Sequence, residues 1–322
     1  MQGCGQATVD CGMPERRRFL ILGASGLLGR HLLALLGPGS SIATYRSHPI
    51  EGGVPFDASS MRLRDTILRD RHGINAAFLL YGVTTLDECA RDPIGTSLIN
   101  VDSLKRAIDD LSEAGVKVVF ASSDAVFDGQ LGMRTEQDRP NPILAYGKQK
   151  LQVERYLQST NRPSVIARLS KLVSAISEPR NLLNEWAERI EKGEVIRCAT
   201  DLIFSPADVH EAARALICLA EEDLCGIFHV CGPRPISRLD LLTTLISAMR
   251  KVRHIQPRVE LCKMQDLKFH EPRPLDVSMD SAKLYAALGA RFRDMDDVCS
   301  EFVLKRYGAL NDTPHNLLAG RN

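Results

Sequence analysis

Tyr146 and Lys150 stand four residues apart in the run AYGKQK. Residues 146–158 read as a helix, and positions i and i+4 share one helical face. A phenol and an ammonium placed this way can act on one bound molecule. A free tyrosine, with a pKa near ~10, is a weak proton donor at neutral pH. A fixed positive charge beside it favours the phenolate and is expected to pull its pKa down toward the working range. The pair therefore reads as a general acid with its tuning cation. The same spacing also occurs on ordinary solvated helix faces, so the pair needs support from elsewhere in the chain.

Two segments give that support. In ILGASGLLGRHLLALL, Gly23, Gly26 and Gly29 fall between an apolar run and a helical pattern. Missing side chains there let backbone N–H groups approach a pyrophosphate at a helix N-terminus. A tight strand–helix turn without a ligand is the plainer reading. The next strand ends in IATYRSHP, with no acid between Ser41 and Ile50 and with Arg46 present. An acid at that point would favour a ribose 2′-hydroxyl, whereas Arg46 favours a 2′-phosphate. The expected cofactor is NADP(H) rather than NAD(H), although a surface arginine is common in its own right. Asp57 either meets an adenine edge or caps the helix that follows. In VVFASSDAVFDG, Ser122 and Ser123 lie just past a strand, where open α/β sheets bind ligands. A hydroxyl there can donate to a carbonyl beside the tyrosine, or simply bond its own turn.

These residues need a scaffold, and the pattern supplies one. Residues 19–22, 42–45, 76–80, 117–121 and 164–169 read as strands. Helical patterns at 27–36, 61–71, 98–113 and 146–158 alternate with them. Such alternation predicts an α/β fold, a Rossmann-type doubly wound parallel sheet. The second half is less regular, with helices expected at 182–192, 209–220, 238–249 and 281–288 and strands at 195–198 and 227–230. The expected organisation is an extension over 1–16, an NADP-binding Rossmann domain over 17–170, and a smaller substrate lobe over 171–322. Some segments of that lobe are expected to return to the sheet.

The bulk composition narrows the function classes. Of 322 residues, 41 are Lys or Arg and 40 are Asp or Glu, a net charge of +1. That balance offers nothing to nucleic acid or to an anionic membrane surface. The apolar runs are too short to span a bilayer, and the first residues lack the apolar stretch of a secretory signal. Nine cysteines without a CxxC pair suggest reduced thiols in the cytoplasm. Eight histidines form no ligand-spaced set, so no metal is expected.

Taken together, the segments resemble the extended short-chain dehydrogenase/reductase family. SSDAVFDG is most similar to its dTDP-4-dehydrorhamnose reductase branch, whose strand-end motif is S-T-D-Y-V-F-D-G. GVTTLDECARDP, followed by Asn100, resembles that branch's A-x-T-x-V-D-x-A-E segment and its Asn. EPRPLDVSMDSAKL resembles R-P-x-x-S-x-L-D-x-x-K-L, so the likeness runs from Phe19 to Tyr307. It implies reduction of a nucleotide-linked 4-keto-6-deoxy sugar by NADPH, with a homodimer as the common assembly. Tyr146 would donate the proton, Ser123 would polarise the carbonyl, and Lys150 would hold the nicotinamide ribose and depress the tyrosine pKa. Gly23, Ser25, Gly26, Leu27, Leu28 and Gly29 would form the pyrophosphate loop. Gly82, Val83, Thr84 and Asn100 would line the cofactor cleft, together with Arg46 and Asp57. Thr84, Ser123, Asp124, Ala125, Lys171 and Arg273 would face the substrate, Arg273 toward its diphosphate.

The chain departs from the branch on the substrate side. Ala125 replaces a Tyr, Lys171 a Trp, and Leu202, Phe204 and Ala207 replace Gln, Gly and Thr. Two other readings stay open. One is a non-catalytic NADP-binding subunit resembling the regulatory subunit of methionine adenosyltransferase. The other is a nucleotide-sugar epimerase or dehydratase, whose strand-end motif usually ends in Tyr-Gly rather than Phe-Asp-Gly.

Overall fold

The computed structural model describes residues 17–70 and 73–308; the expected extension over 1–16 lies outside the described residues. In β1 (Arg18–Leu22), Phe19 and Ile21 enter one core cluster, Leu20 and Leu22 another, and all four are buried. A strand covered on both faces needs apolar residues throughout, which explains the unbroken run. The following elements are α1 (Leu27–Leu36), β2 (Ser41–Tyr45), β3 (Val54–Pro55), α2 (Ile67–Asp70) and β4 (Ile74–Leu79). Then come α3 (Leu86–Arg91), α4 (Pro93–Ser97), α5 (Leu104–Glu113), β5 (Lys117–Ser123), α6 (Ala145–Ser159) and β6 (Ser164–Leu169).

The sheet has seven strands, all paired in parallel, in the order Gly226–Val230, β6, β5, β4, β1, β2, β3. Helices cover both faces, so this is the expected Rossmann-type α/β fold. The chain reverses its direction of travel between β1 and β4. That switch point opens a crevice at the carboxyl ends of the strands, where such sheets take ligands. The loops after β1, β4 and β5 all emerge there.

The residues beyond 170 do two things. Gly226–Val230 adds a strand beside β6, and the helix Val209–Glu221 packs Ala212, Ala213 and Leu216 in one cluster with Leu28 and Leu32 of α1. The remainder forms a second core, where helices Leu182–Glu191, Arg238–Arg250 and Met295–Tyr307 gather around Trp186, Leu242, Leu245 and Phe302. Val195–Ala199 pairs there with Arg258–Cys262, a strand the local pattern did not announce. Among the described residues no helix is long and apolar enough to cross a membrane.

Two expected helices change. Of residues 61–71 only α2 is helical, and Arg71 lies outside the described residues. The preceding stretch is instead a turn, closed by Thr66 N and Leu68 N on Leu63 O, and Arg62 and Arg64 both bond the buried carboxylate of Asp110 on α5. Residues 98–113 form helix throughout, but Leu98–Ser103 winds as a wider π-type turn before α5 begins.

Candidate active site

The loop after β1 is shaped by its glycines. Gly23 has φ +93°, a conformation that L side chains rarely adopt. A Cβ on Gly29 would meet the Gly23 carbonyl oxygen at 2.5 Å, so the first turn of α1 can lie against the loop only without one. The Thr44 hydroxyl joins this loop to β2, accepting from Gly23 N at 3.3 Å and donating to Ile21 O at 3.2 Å. No side chain caps α1 at Gly26. Its first N–H groups therefore face the crevice with the positive end of the helix dipole, a fit for a pyrophosphate. Gly23, Ser25, Gly26 and Leu27 are partly exposed around that opening, while Leu28 and Gly29 are buried behind it.

Arg46 is exposed just past β2, and its charge helps hold the Asp57 carboxyl below its usual range. The larger cause is Ser59, whose hydroxyl and backbone N–H donate to Asp57 at 2.7 and 2.9 Å. Asp57 closes a turn and does not cap a helix, since the helix it would have capped begins ten residues later. Across the crevice, Gly82 and Thr84 are exposed after β4. Asn100 is not available to a ligand as expected. It is 2% exposed, its Oδ1 accepts from Val83 N at 2.7 Å, and its Nδ2 donates to Val83 O at 2.9 Å and Gln149 Oε1 at 2.7 Å. It fixes the Gly82–Val83 loop from behind.

Tyr146, Lys150 and Glu154 lie at successive four-residue steps on α6 and are all buried. Glu154 holds the helix to the sheet. It accepts from Arg168 Nε at 3.1 Å and Nη2 at 2.8 Å, and from the Ser122 hydroxyl. Ser122 thus points away from the crevice, and Ser123 points into it. The Lys150 ammonium donates to Ala121 O at 2.7 Å and lies 4.8 Å from the Phe120 ring centroid and 5.6 Å from that of Tyr146. Burial lowers its pKa to about 8, with Glu154 opposing the shift.

The expected fall in the Tyr146 pKa is reversed. Burial pushes the phenol above its ordinary value, Asp124 and Cys89 push the same way, and the Ser123 hydroxyl opposes them. Desolvation outweighs a cation that is itself half spent on Ala121 and a ring away. At neutral pH the phenol keeps its proton, which is the form a proton donor needs. Ser123 donates to Asp124 Oδ1 at 2.9 Å and accepts from Ala125 N at 3.1 Å. Burial raises the Asp124 pKa to about 6 against the pull of Ser123 and Lys171. Ala125 does not reach the crevice: it is buried with Cys89 and Leu144 around Tyr146.

The remaining expected residues come from the second lobe. Arg273 donates to Asp87 Oδ1 at 2.5 Å and stacks 4.5 Å over the Phe269 ring, while its Nη1 is buried with no partner. A buried guanidinium nitrogen without an acceptor suits an anionic ligand group. Two residues earlier, Glu271 accepts from Ala145 N at 3.0 and 3.2 Å and so caps α6 from the other lobe. The sequence reading missed Glu271, Asp87, Gln149 and Glu154. Only Glu154 had a local signal, its repeat of the Tyr146–Lys150 spacing.

The profile of the family described as the RmlD substrate binding domain matches residues 17–307. The chain belongs to that family. Similarity within and around the RmlD family is broad but distant. A dTDP-4-dehydrorhamnose reductase of Aggregatibacter actinomycetemcomitans is 25% identical, covering 86% of this chain and 95% of that one. Methionine adenosyltransferase 2 subunit beta of Bos taurus is 24% identical, covering 77% of this chain and 79% of that one. A dTDP-4-dehydrorhamnose reductase of Bacillus anthracis, solved in complex with NADP, shares the fold at a TM-score of 0.78 and 19% identity. It covers 90% of this chain and 99% of that one.

Proposed function

We propose that the chain is an NADP(H)-dependent oxidoreductase that reduces a keto group on a nucleotide-linked sugar, with 4-keto-6-deoxy sugars of the dehydrorhamnose kind as its substrate class. The carrying observation is that Ser123 and a protonated Tyr146 meet beside Lys150, at the strand ends flanking the glycine loop. Bound NADPH would supply hydride to the carbonyl carbon. Tyr146 gives its proton to the carbonyl oxygen. Ser123 turns from Asp124 to donate to that same oxygen, and Lys150 stabilises the phenolate left behind. The Gly23–Gly29 loop would hold the pyrophosphate, Arg46 the 2′-phosphate, and the free Nη1 of Arg273 the substrate diphosphate.

The decisive experiment is NADPH oxidation against a panel of nucleotide-linked 4-keto sugars. Turnover of one of them supports the reading. A second reading rests on the equally close likeness to methionine adenosyltransferase 2 subunit beta. In it the chain binds NADP(H) and reduces nothing, so tight NADPH binding with an inert panel would favour it. A homodimer is the assembly we propose. Ile94, 80% exposed, and Leu98, 57% exposed, stand one turn apart on the surface, and light scattering tests the association.

A further inference from the structure

The glycine loop is tied to the second lobe through one side chain. Arg30 follows the last glycine of the loop, and its guanidinium folds back to donate from Nη1 to Ser25 O at 3.0 Å. The same guanidinium donates from Nη2 to Glu178 Oε2 at 2.8 Å. The other oxygen of that carboxylate, Oε1, lies 2.8 Å from His31 Nε2. Glu178 therefore grips two consecutive residues of α1.

The grip comes from a fixed part of the second lobe. Glu178 lies between the strand Leu172–Val173 and the helix Leu182–Glu191, and Val173, Ala175 and Leu182 on either side of it belong to the second core. Buried Asn181 holds this segment in shape, accepting from Ser174 N at 3.1 Å and donating to Ser174 O at 2.8 Å and Ile176 O at 2.9 Å. Arg306, on the helix Met295–Tyr307, donates to the hydroxyl of the neighbouring Ser177 at 2.7 Å. The Glu178 side chain is 10% exposed and that of His31 12%, so water competes little for these bonds. Burial alone would raise the Glu178 pKa, but His31, Ser174 and Arg30 hold it below its usual range.

Arg30 in turn holds a peptide plane. The Ser25–Gly26 peptide is bonded at both ends: its carbonyl accepts from Arg30, and its N–H donates to Gly23 O at 3.1 Å. That plane leads directly into the uncapped N–H groups at the start of α1. A Ser25 carbonyl released from Arg30 is free to rotate toward the crevice, where its negative end would repel a pyrophosphate. A planar guanidinium can serve the carbonyl and the carboxylate at once, whereas an ammonium is a point charge without that fork.

We propose that Glu178 is a positioning residue for the cofactor: acting through Arg30, it fixes the Ser25 carbonyl and gives the second lobe a hold on NADP(H) affinity. This rests on the NADP(H) reading above, which the reductase and the binding-subunit alternatives share.

The test is fluorimetric titration of NADPH into the full chain and its variants, with urea denaturation confirming that each is folded. Arg30→Met and Glu178→Gln should each weaken binding roughly tenfold, about the worth of one hydrogen bond to a charged group. Together they should weaken it no more than Arg30→Met does alone, because Glu178 acts through Arg30. Arg30→Lys keeps the charge without the fork and should recover little of the loss. His31→Leu should also weaken binding, and His31→Gln, which keeps a donor for Glu178, should restore it. If Arg30→Met fails to fold, Arg30→Lys takes its place in the double variant. Wild-type affinity in Arg30→Lys would reduce Arg30 to a charge near the phosphates and overturn the proposal. Additive losses in the double variant, or equal losses in both His31 variants, would also overturn it. So would tighter binding in Glu178→Gln, since the carboxylate would then merely offset the charge of Arg30. A wild type that binds no NADPH would sink the cofactor reading itself, an outcome distinct from all of these.

Discussion

Lys150 is a buried cation whose position has a measurable thermodynamic cost. Its folded pKa of about 8 lies below the ordinary 10.5. The unfolded chain therefore holds this proton more tightly than the folded one. Below about pH 8 both states are protonated and the penalty is complete. As pH rises from about 8 to about 10.5 the folded side chain is neutral first, and the penalty is relieved. The linkage relation puts the penalty at about 3 kcal/mol at pH 7 and about 1 kcal/mol at pH 9.5. The perturbation is Lys150→Met, which keeps a long chain in the same space without the charge. Urea denaturation of both proteins at pH 7 and pH 9.5 gives two stability differences, and every other titrating group cancels between them. Wild type should gain about 2 kcal/mol on the variant across that interval. A difference that stays flat would mean that Lys150 is not a desolvated cation, and its role as the charge beside Tyr146 would go with it.

Other outcomes follow from the same geometry. Tyr146→Phe should slow hydride transfer by about 10²–10⁴-fold in stopped-flow measurements while NADPH affinity holds, because the ring still packs. Asn100→Ala removes both bonds to Val83 and strands Gln149; it should cost about 1–3 kcal/mol in denaturant and weaken NADPH binding through the loosened loop. Arg46→Ala should bring the affinities for NADPH and NADH together, and equal affinities already in wild type would remove Arg46 from the site.

The residues that were readable in the sequence are those whose signal is local. The four-residue step from Tyr146 to Lys150, the glycines between β1 and α1, and the alternation of strand and helix all depend on neighbours in the chain. The misreadings share a different cause. Asn100 looked like a cleft residue because nothing in its own segment shows that Val83 and Gln149 consume its amide. Tyr146 looked acidified because spacing reveals a nearby cation but not the burial that outweighs it. Residues 61–66 looked helical because the carboxylate that draws Arg62 and Arg64 out of a helix belongs to Asp110, over 40 positions away. Glu271 capping α6 is another such link, 126 residues from Ala145, and Arg273 on Asp87 a longer one, at 186. Pairing of Arg258–Cys262 with Val195–Ala199 is equally invisible to a local window.

The strand Gly226–Val230 also bears on how this chain is made. Until it arrives, β6 is the bare rim of the sheet, with Val165, Ile166 and Ala167 bonded along one side only. An open apolar rim invites pairing with another chain. During synthesis that exposure lasts from the release of Leu169 until Val230 has left the ribosome, some 60 residues later, or a few seconds at about 5–20 residues per second. A fragment cut at Ser170 would keep the rim open permanently and should self-associate. The parallel sheet is thus finished by a piece of chain translated after helix Leu182–Glu191 and strand Val195–Ala199 of the second lobe, so the sheet closes only once part of that lobe has been made.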